Sequence, residues 1–236
     1  WTVPRLAGES HVRVKVVVYD SVGNVGFART GKFIVRSFAD DRENDKIAEK
    51  WFKRGMSLYR RMDERQKNLR AARDAFLESL LYGPGDPRTL LMLAQTLHKL
   101  GMLDDAIRYA EQARHHTDSY ECHMTLTVLY LERGRLDSAG RSIEKIINID
   151  EKEPLTDKQT HEVCRNIIRL VEKFKTRKEY DAGIQYVKKI SKLRLSKVTE
   201  EYKRRAEELE DELKRLAGKK YEEGGDERFT DYRKGK

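Results

Sequence analysis

Only two cysteines occur in the 236 residues, Cys122 and Cys164, with no C-x-x-C pair and no histidine beside them at zinc-ligand spacing. The cysteine pattern supports neither a disulfide framework nor a structural zinc site. The thiols read as buried or half-buried small hydrophobes rather than as partners in a disulfide. No window approaches 18 consecutive apolar residues, which excludes a helical membrane span within the sequence. A glycine-rich phosphate loop, an H-E-x-x-H motif and a nucleophile elbow are all missing, so no catalytic constellation emerges. The chain is accordingly expected not to be an enzyme and to need no cofactor and no metal. It starts at Trp1 without a charged n-region and apolar h-region, and is expected to be a processed or excised piece of a longer protein.

Charge is abundant. Lys and Arg number 49 against 40 Asp and Glu, a formal net charge of +9, and charged and hydrophobic residues each make up 38%. An excess of this size can steer a molecule towards acidic partners or phosphates. Both signs are interspersed, however, as in EKWFKRG, RRMDERQKNLRAARD and EEYKRRAEELEDELKRL. That pattern is a solvated helical surface laced with pairs four residues apart. Binding of nucleic acid or another polyanion is the alternative function. It is disfavoured because aromatic residues are not interleaved with a dense basic patch and no nucleic-acid motif is present.

Internal periodicity organises most of the chain. LLMLAQTLHKLGMLDDAIRYAEQA from Leu90 aligns with HMTLTVLYLERGRLDSAGRSIEKI from His123, an offset of 33 residues. Leu93 then falls on Leu126, Leu97 on Tyr130, Gly101 on Gly134 and Ala106 on Ala139. Upstream the order recurs with Trp51, Gly55, Leu58, Ala72, Phe76 and Pro84, with about five extra residues near MDERQ between the helices. Downstream it recurs with Ile167, Leu170, Phe174, Ala182 and Tyr186, after a longer connection around DEKEPLTDKQ and with one extra residue in the turn. Apolar residues at three- and four-residue spacing give each helix one buried stripe. Small residues let helices approach closely, and Gly101 and Gly134 turn the chain between antiparallel partners. One pair cannot bury both its faces, so pairs stack into a solenoid. Val198, Tyr202, Ala206, Leu209, Leu213 and Leu216 line one side of a final capping helix, which Gly218 is expected to close.

The pattern resembles the tetratricopeptide repeat over about residues 46 to 195. The fold expected is mainly α, a solenoid of about four helix pairs plus the capping helix. The domain layout expected is a partial β segment over 1–37, a linker over 38–46, helical repeats with the cap over 47–218, and a flexible tail over 219–236. The β segment rests on HVRVKVVVYD, whose valines at 12, 14, 16 and 18 alternate at strand period, and on KFIV, with a turn-rich connection between them. With its D-x-x-G-N turn it resembles the last strands of a bacterial immunoglobulin-like or fibronectin type III-like module. The fold class therefore includes a short N-terminal β-hairpin or partial β-sandwich, whose unpaired edges could join two chains. Asp20 and Asn24 read as turn chemistry ahead of a calcium site.

His115 and His116, with His123 close by, invite a metal reading, but adjacent helical positions point about 100° apart; an exposed helix end fits better. The repeat resemblance implies a protein or peptide partner held on a concave face formed by the first helix of each pair. Carrying the helical phase over puts Phe52, Met56 and Tyr59 there, then Arg88, Leu91, Gln95 and His98. Met124, Val128 and Leu131 follow from the third pair, and Arg165, Ile168, Arg169, Glu172 and Lys175 from the fourth. Phe52, Met56 and Met92 stand where chaperone-binding members of the family carry a clamp for two carboxylates, so that activity is not expected. The groove is expected to be apolar at its amino-terminal end and basic at its carboxy-terminal end, either open to an amphipathic helix or hydrophobic peptide or covered by the chain itself. A homo-oligomer through the strand edges or the groove is a further expectation. The immunoglobulin-like resemblance implies a periplasmic or cell-envelope location, with the cytoplasm as alternative.

Overall fold

The computed structural model describes residues 10–12, 15–19, 25–29, 33–35, 41–61, 65–193 and 200–226. Nine helices lie among them. The first pair is α1 (Asp41–Arg60) with α2 (Arg65–Tyr82), and the second is α3 (Pro87–Lys99) with α4 (Leu103–Arg114). The third is α5 (Tyr120–Arg133) with α6 (Leu136–Lys152). The fourth is α7 (Asp157–Thr176) with the short α8 (Tyr180–Val187), prolonged by a 3-10 turn over Lys188–Lys192. Then α9 (Glu200–Asp226) closes the stack.

One turn geometry joins the helices within three of the pairs. Gly101, Gly134 and Lys178 take left-handed φ angles of 80°, 77° and 59°. In each case the following amide bonds back across the turn: Met102 N to Leu97 O, Arg135 N to Tyr130 O, and Glu179 N to Phe174 O, all at 2.9 Å. This six-to-one bond satisfies carbonyls that a helix end leaves without partners. Nine residues after Leu97, Tyr130 and Phe174 come Ala106, Ala139 and Gly183, all buried. The small residue of the fourth pair is therefore Gly183, not Ala182, and its turn holds no extra residue. A Cβ on Gly183 would stand 3.1 Å from Leu213 Cδ1 of α9, which is why the smallest side chain sits there.

The entries between pairs are made by local capping. Asp86 accepts hydrogen bonds from the amides of Arg88 and Thr89 at 3.4 and 3.2 Å, with Pro87 in the first helical turn. Ser119 accepts from Cys122 N, and Thr156 with Gln159 forms a reciprocal capping box on α7. The connection around DEKEPLTDKQ is short, since α6 extends through Lys152 and α7 starts at Asp157. Likewise the extra residues of the first pair lengthen the start of α2, which begins seven residues before Ala72, whereas α4 begins three before Ala106.

Leu93, Leu126, Ile143, Ile146, Ile167 and Leu170 are wholly buried between the layers, each stabilising the stack by ~1.5–3 kcal/mol. Gly55 meets the Phe76 ring so closely that a Cβ would stand 2.6 Å from it. First helices pack directly on one another along the stack, and second helices much less so. The row therefore bends with the first helices on its inner side.

Three boundaries differ from expectation. Residues expected as linker over 38–46 are helical from Asp41, and Asn44 is buried one turn ahead of Ile47 and Ala48, so the packed face of α1 starts before its first apolar residue. Gly218 does not end α9: the helix runs on to Asp226 through the good helix formers KKYEE and takes in Gly224 and Gly225 as well. The residues expected as tail are thus helical over 219–226, and 227–236 lie outside the described residues. In the N-terminal segment, β1 (Ser10–Val12) pairs with β4 (Phe33–Val35) and β2 (Lys15–Tyr19) with β3 (Val25–Arg29), both antiparallel. Val25–Arg29, expected as part of a turn-rich connection, pairs as a strand, since Val25, Phe27 and Arg29 keep a period of two. Two short ladders are not two packed sheets, and they give the immunoglobulin-like or fibronectin-like module no support. The D-x-x-G-N turn over 20–24 and Val198 lie outside the described residues.

Candidate functional site: the face of the first helices

Side-chain contacts tie α1, α3, α5, α7 and α9 into one row. At the amino-terminal end the Arg88 guanidinium stands 5.1 Å over the Phe52 ring and 3.2 Å from Glu49 Oε2. Lys99 Nζ lies 3.8 Å over the Tyr59 ring. Between α3 and α5, Gln95 Nε2 donates to Thr125 Oγ1 at 3.3 Å and His98 Nε2 is 2.6 Å from Glu132 Oε2. Asn166 Nδ2 donates to Met124 Sδ at 3.2 Å between α5 and α7. At the far end Lys175 reaches Glu212 of α9 at 2.7 Å and Arg205 reaches Glu172 at 3.5 Å.

Phe52, Met56 and Tyr59 are half-buried on this face, as are Gln95, His98, Met124, Val128 and Ile168. Arg88, Arg165 and Arg169 are partly or fully exposed along its edge. Two expected groove residues are not on the surface: Leu131 is 0% and Leu91 8% exposed. Leu131 occupies the turn of α5 that His98 occupies in α3. The polar ring turns outwards to Glu132, whereas the aliphatic chain packs into the core. The carboxy-terminal end is also less basic than its sequence. Lys175 is shared between Glu172 and Glu212, and Arg169 donates to Asn166 Oδ1 at 3.3 Å. Its hydrogen bond to Glu212 raises the Lys175 pKa, and the same bond lowers that of Glu212. Glu132, Asn166, Arg205 and Glu212 carry this network and had no place in the expected groove. Their one sequence signal is opposite charge or polarity at matching turns of successive first helices.

The remaining candidates resolve separately. Cys122 and Cys164 are buried and free, and burial pushes their thiols up to about 11 and about 12. His115 and His116 are exposed at the end of α4, while His123 is buried in α5, so the three rings do not converge. Among the described residues no group of three or more His, Cys, Asp or Glu could hold a metal ion, and no helix is long and apolar enough to cross a membrane. A second concave feature, a recess of about 560 Å3, opens between α4 and α6 over α5.

Stacked helix pairs, repeated left-handed turns and a continuous first-helix face define a tetratricopeptide-like helical-repeat protein. No family model and no curated protein matches the chain. Among solved structures it is similar to "Crystal structure of MamA protein", at 16% identity over 79% of this chain and 96% of that one, with a TM-score of 0.50. It also matches TTC0263, a thermophilic tetratricopeptide-repeat protein of Thermus thermophilus, at 16% identity over 69% of this chain and 98% of that one, with a TM-score of 0.39. At 16% identity the likeness to the MamA structure is one of fold alone.

Proposed function

We propose that the chain is a non-enzymatic interaction scaffold that holds a protein or peptide segment on the face of its first helices. The observation that carries this reading is the apolar strip of Phe52, Met56, Tyr59, Met124, Val128 and Ile168, half-buried along a row of helices and edged by charged side chains. Such a strip suits the apolar side of an amphipathic helix, and its methionines adapt to irregular shapes. The partner is either another protein or a second copy of the chain. Light scattering together with affinity capture from an envelope fraction tests this. Loss of capture or of self-association in Phe52→Asp and Met124→Asp, with helical content unchanged, is the expected result. A strictly monomeric parent that retains nothing, with both variants indistinguishable from it, overturns the proposal.

A place in the bacterial cell envelope belongs to the same proposal and rests on the sequence pattern of the N-terminal segment alone. Fractionation of native cells tests it, and recovery with the cytoplasm overturns it. The polyanion alternative draws on the net charge of +9. Against it stand the cross-helix ion pairs, in which cations such as Lys175 and Lys189 face carboxylates. Absence of binding to single-stranded nucleic acid at low salt would eliminate that alternative.

A further inference from the structure

The third helix pair departs from its neighbours at two positions, and both line the recess between α4 and α6. Counting eight residues on from the left-handed residues Gly101, Gly134 and Lys178 reaches Tyr109, Ser142 and Tyr186. Counting eleven back reaches Leu90, His123 and Ile167. The third pair therefore has a small hydroxyl where the flanking pairs have tyrosine, and an imidazole where they have an aliphatic chain. The first departure opens the space. Between α6 and α8 the Tyr186 ring lies so close to Gly140 that a Cβ there would overlap its hydroxyl, and Lys189 reaches Glu144 at 2.6 Å. Between α4 and α6, with Ser142 in that place, about 560 Å3 is left open.

The charges of the recess are unequally engaged. Its two carboxylates are taken: Glu111 accepts the Tyr130 hydroxyl at 2.8 Å, and Asp118 accepts from His123 Nε2 at 2.6 Å. Its three cations, Arg114, Arg141 and Lys145, have no carboxylate within ion-pair distance among the described residues. Arg141 donates to Ser138 Oγ, another lining residue, at 3.1 Å. His123 is 2% exposed, and its Nδ1 is buried without a partner. Packing alone does not account for a polar ring with an unsatisfied atom where Leu90 and Ile167 serve the flanking pairs. Departures of this kind concentrate at functional positions.

We propose that this recess binds a compact ligand bearing carboxylate or phosphate oxyanions, with Arg114, Arg141 and Lys145 as its counter-charges. The volume falls in the range of roughly 300–1,000 Å3 used by small ligands. A long acidic peptide fits less well, because Tyr186 and the Lys189–Glu144 pair fill the corresponding space at the next step of the stack.

Titration of the full chain with inorganic phosphate and with citrate, at fixed ionic strength and followed by amide NMR shifts, tests this. Saturable shifts confined to residues 111–130 and 138–145 are expected, with about tenfold weaker binding in Arg141→Gln and Lys145→Gln. Ser142→Tyr restores the aromatic of the flanking pairs and is expected to abolish binding without lowering the thermal midpoint. If that variant misfolds, Arg141→Gln decides. Absence of saturable shifts with both anions overturns the proposal, as does unchanged binding in well-folded Ser142→Tyr and Arg141→Gln. Binding of a glutamate-rich peptide where both small anions fail would overturn it in favour of a protein ligand.

Discussion

Gly140 lies inside α6, where glycine costs about 1 kcal/mol relative to alanine, and helix propensity alone makes Gly140→Ala a stabilising change. The structure reverses that sign. The Tyr186 ring occupies the space of the missing Cβ while stacked on Phe174 at 5.7 Å and lying under Lys189. Gly140→Ala is therefore expected to lower stability by ~1–3 kcal/mol, with the loss much reduced in a Tyr186→Leu background; urea titration of the four proteins of that cycle checks it. Lys178 presents the opposite case, a side chain at φ 59° where Gly101 and Gly134 serve the equivalent turns. Relieving that conformation should make Lys178→Gly stabilising by up to ~1 kcal/mol, and Gly134→Ala should destabilise by ~1–2 kcal/mol. The two buried thiols add a pH dependence. Their folded pKa values, about 11 and about 12, lie above the ordinary value of 9.0. Unfolded chains lose these protons first, so the stability they contribute is complete below pH 9 and declines as pH rises towards 11–12. A thiol reagent at pH 8 should label neither cysteine until denaturant is added; prompt labelling of the native chain would contradict their burial.

At the scale of the element, α9 does for the fourth pair what each following pair does for the one before it. Leu209 and Leu213 are wholly buried beneath it, and Leu213 sits on the bare face of Gly183. The fourth pair needs such cover, because α8 has eight residues against twelve in α4. Leu213→Ala is expected to cost ~2–4 kcal/mol, and a chain ending at Leu193 should lose amide-exchange protection in α7 and α8 while α3–α6 keep theirs. Equal protection throughout the shortened chain would show that α9 is an accessory. The exposed ion pairs of α9, such as Arg205 with Glu172, contribute little to this, since pairs of that kind are worth ~0–1 kcal/mol. Repeat elements were legible in advance because their apolar spacing and turn residues are local signals. Their ends were less legible: α1 starts within the expected linker and α9 passes Gly218, as single signals of polarity or glycine yield to packing and to the propensity of neighbouring residues.

Over the whole molecule, a stack in which helices meet mainly their neighbours should unfold by nearest-neighbour rules. A core change in the middle, such as Ile143→Ala, is expected to cost ~2–5 kcal/mol and to lower exchange protection most in the adjoining pairs, not uniformly; uniform loss would indicate a single cooperative unit. The candidate face was readable as a row of positions, since the recurring order of apolar and turn residues carries the helical phase from one first helix to the next, with an offset of 33 residues only between α3 and α5. Its chemistry was not: Leu131 turned into the core, and Lys175 found Glu212 some forty residues away. The recess shows the same division. Ser142 and His123 stand in plain view in the sequence, but their departure from Tyr109, Tyr186, Leu90 and Ile167 becomes visible only once Gly101, Gly134 and Lys178 are seen to adopt one turn. By itself the sequence determined the number of helix pairs, their order and their buried stripes, because these follow from local periodicity and turn chemistry. Only the tertiary structure decided which charges neutralise one another, which side chains leave the groove for the core and where space is left open, because those depend on distances between residues far apart in the chain.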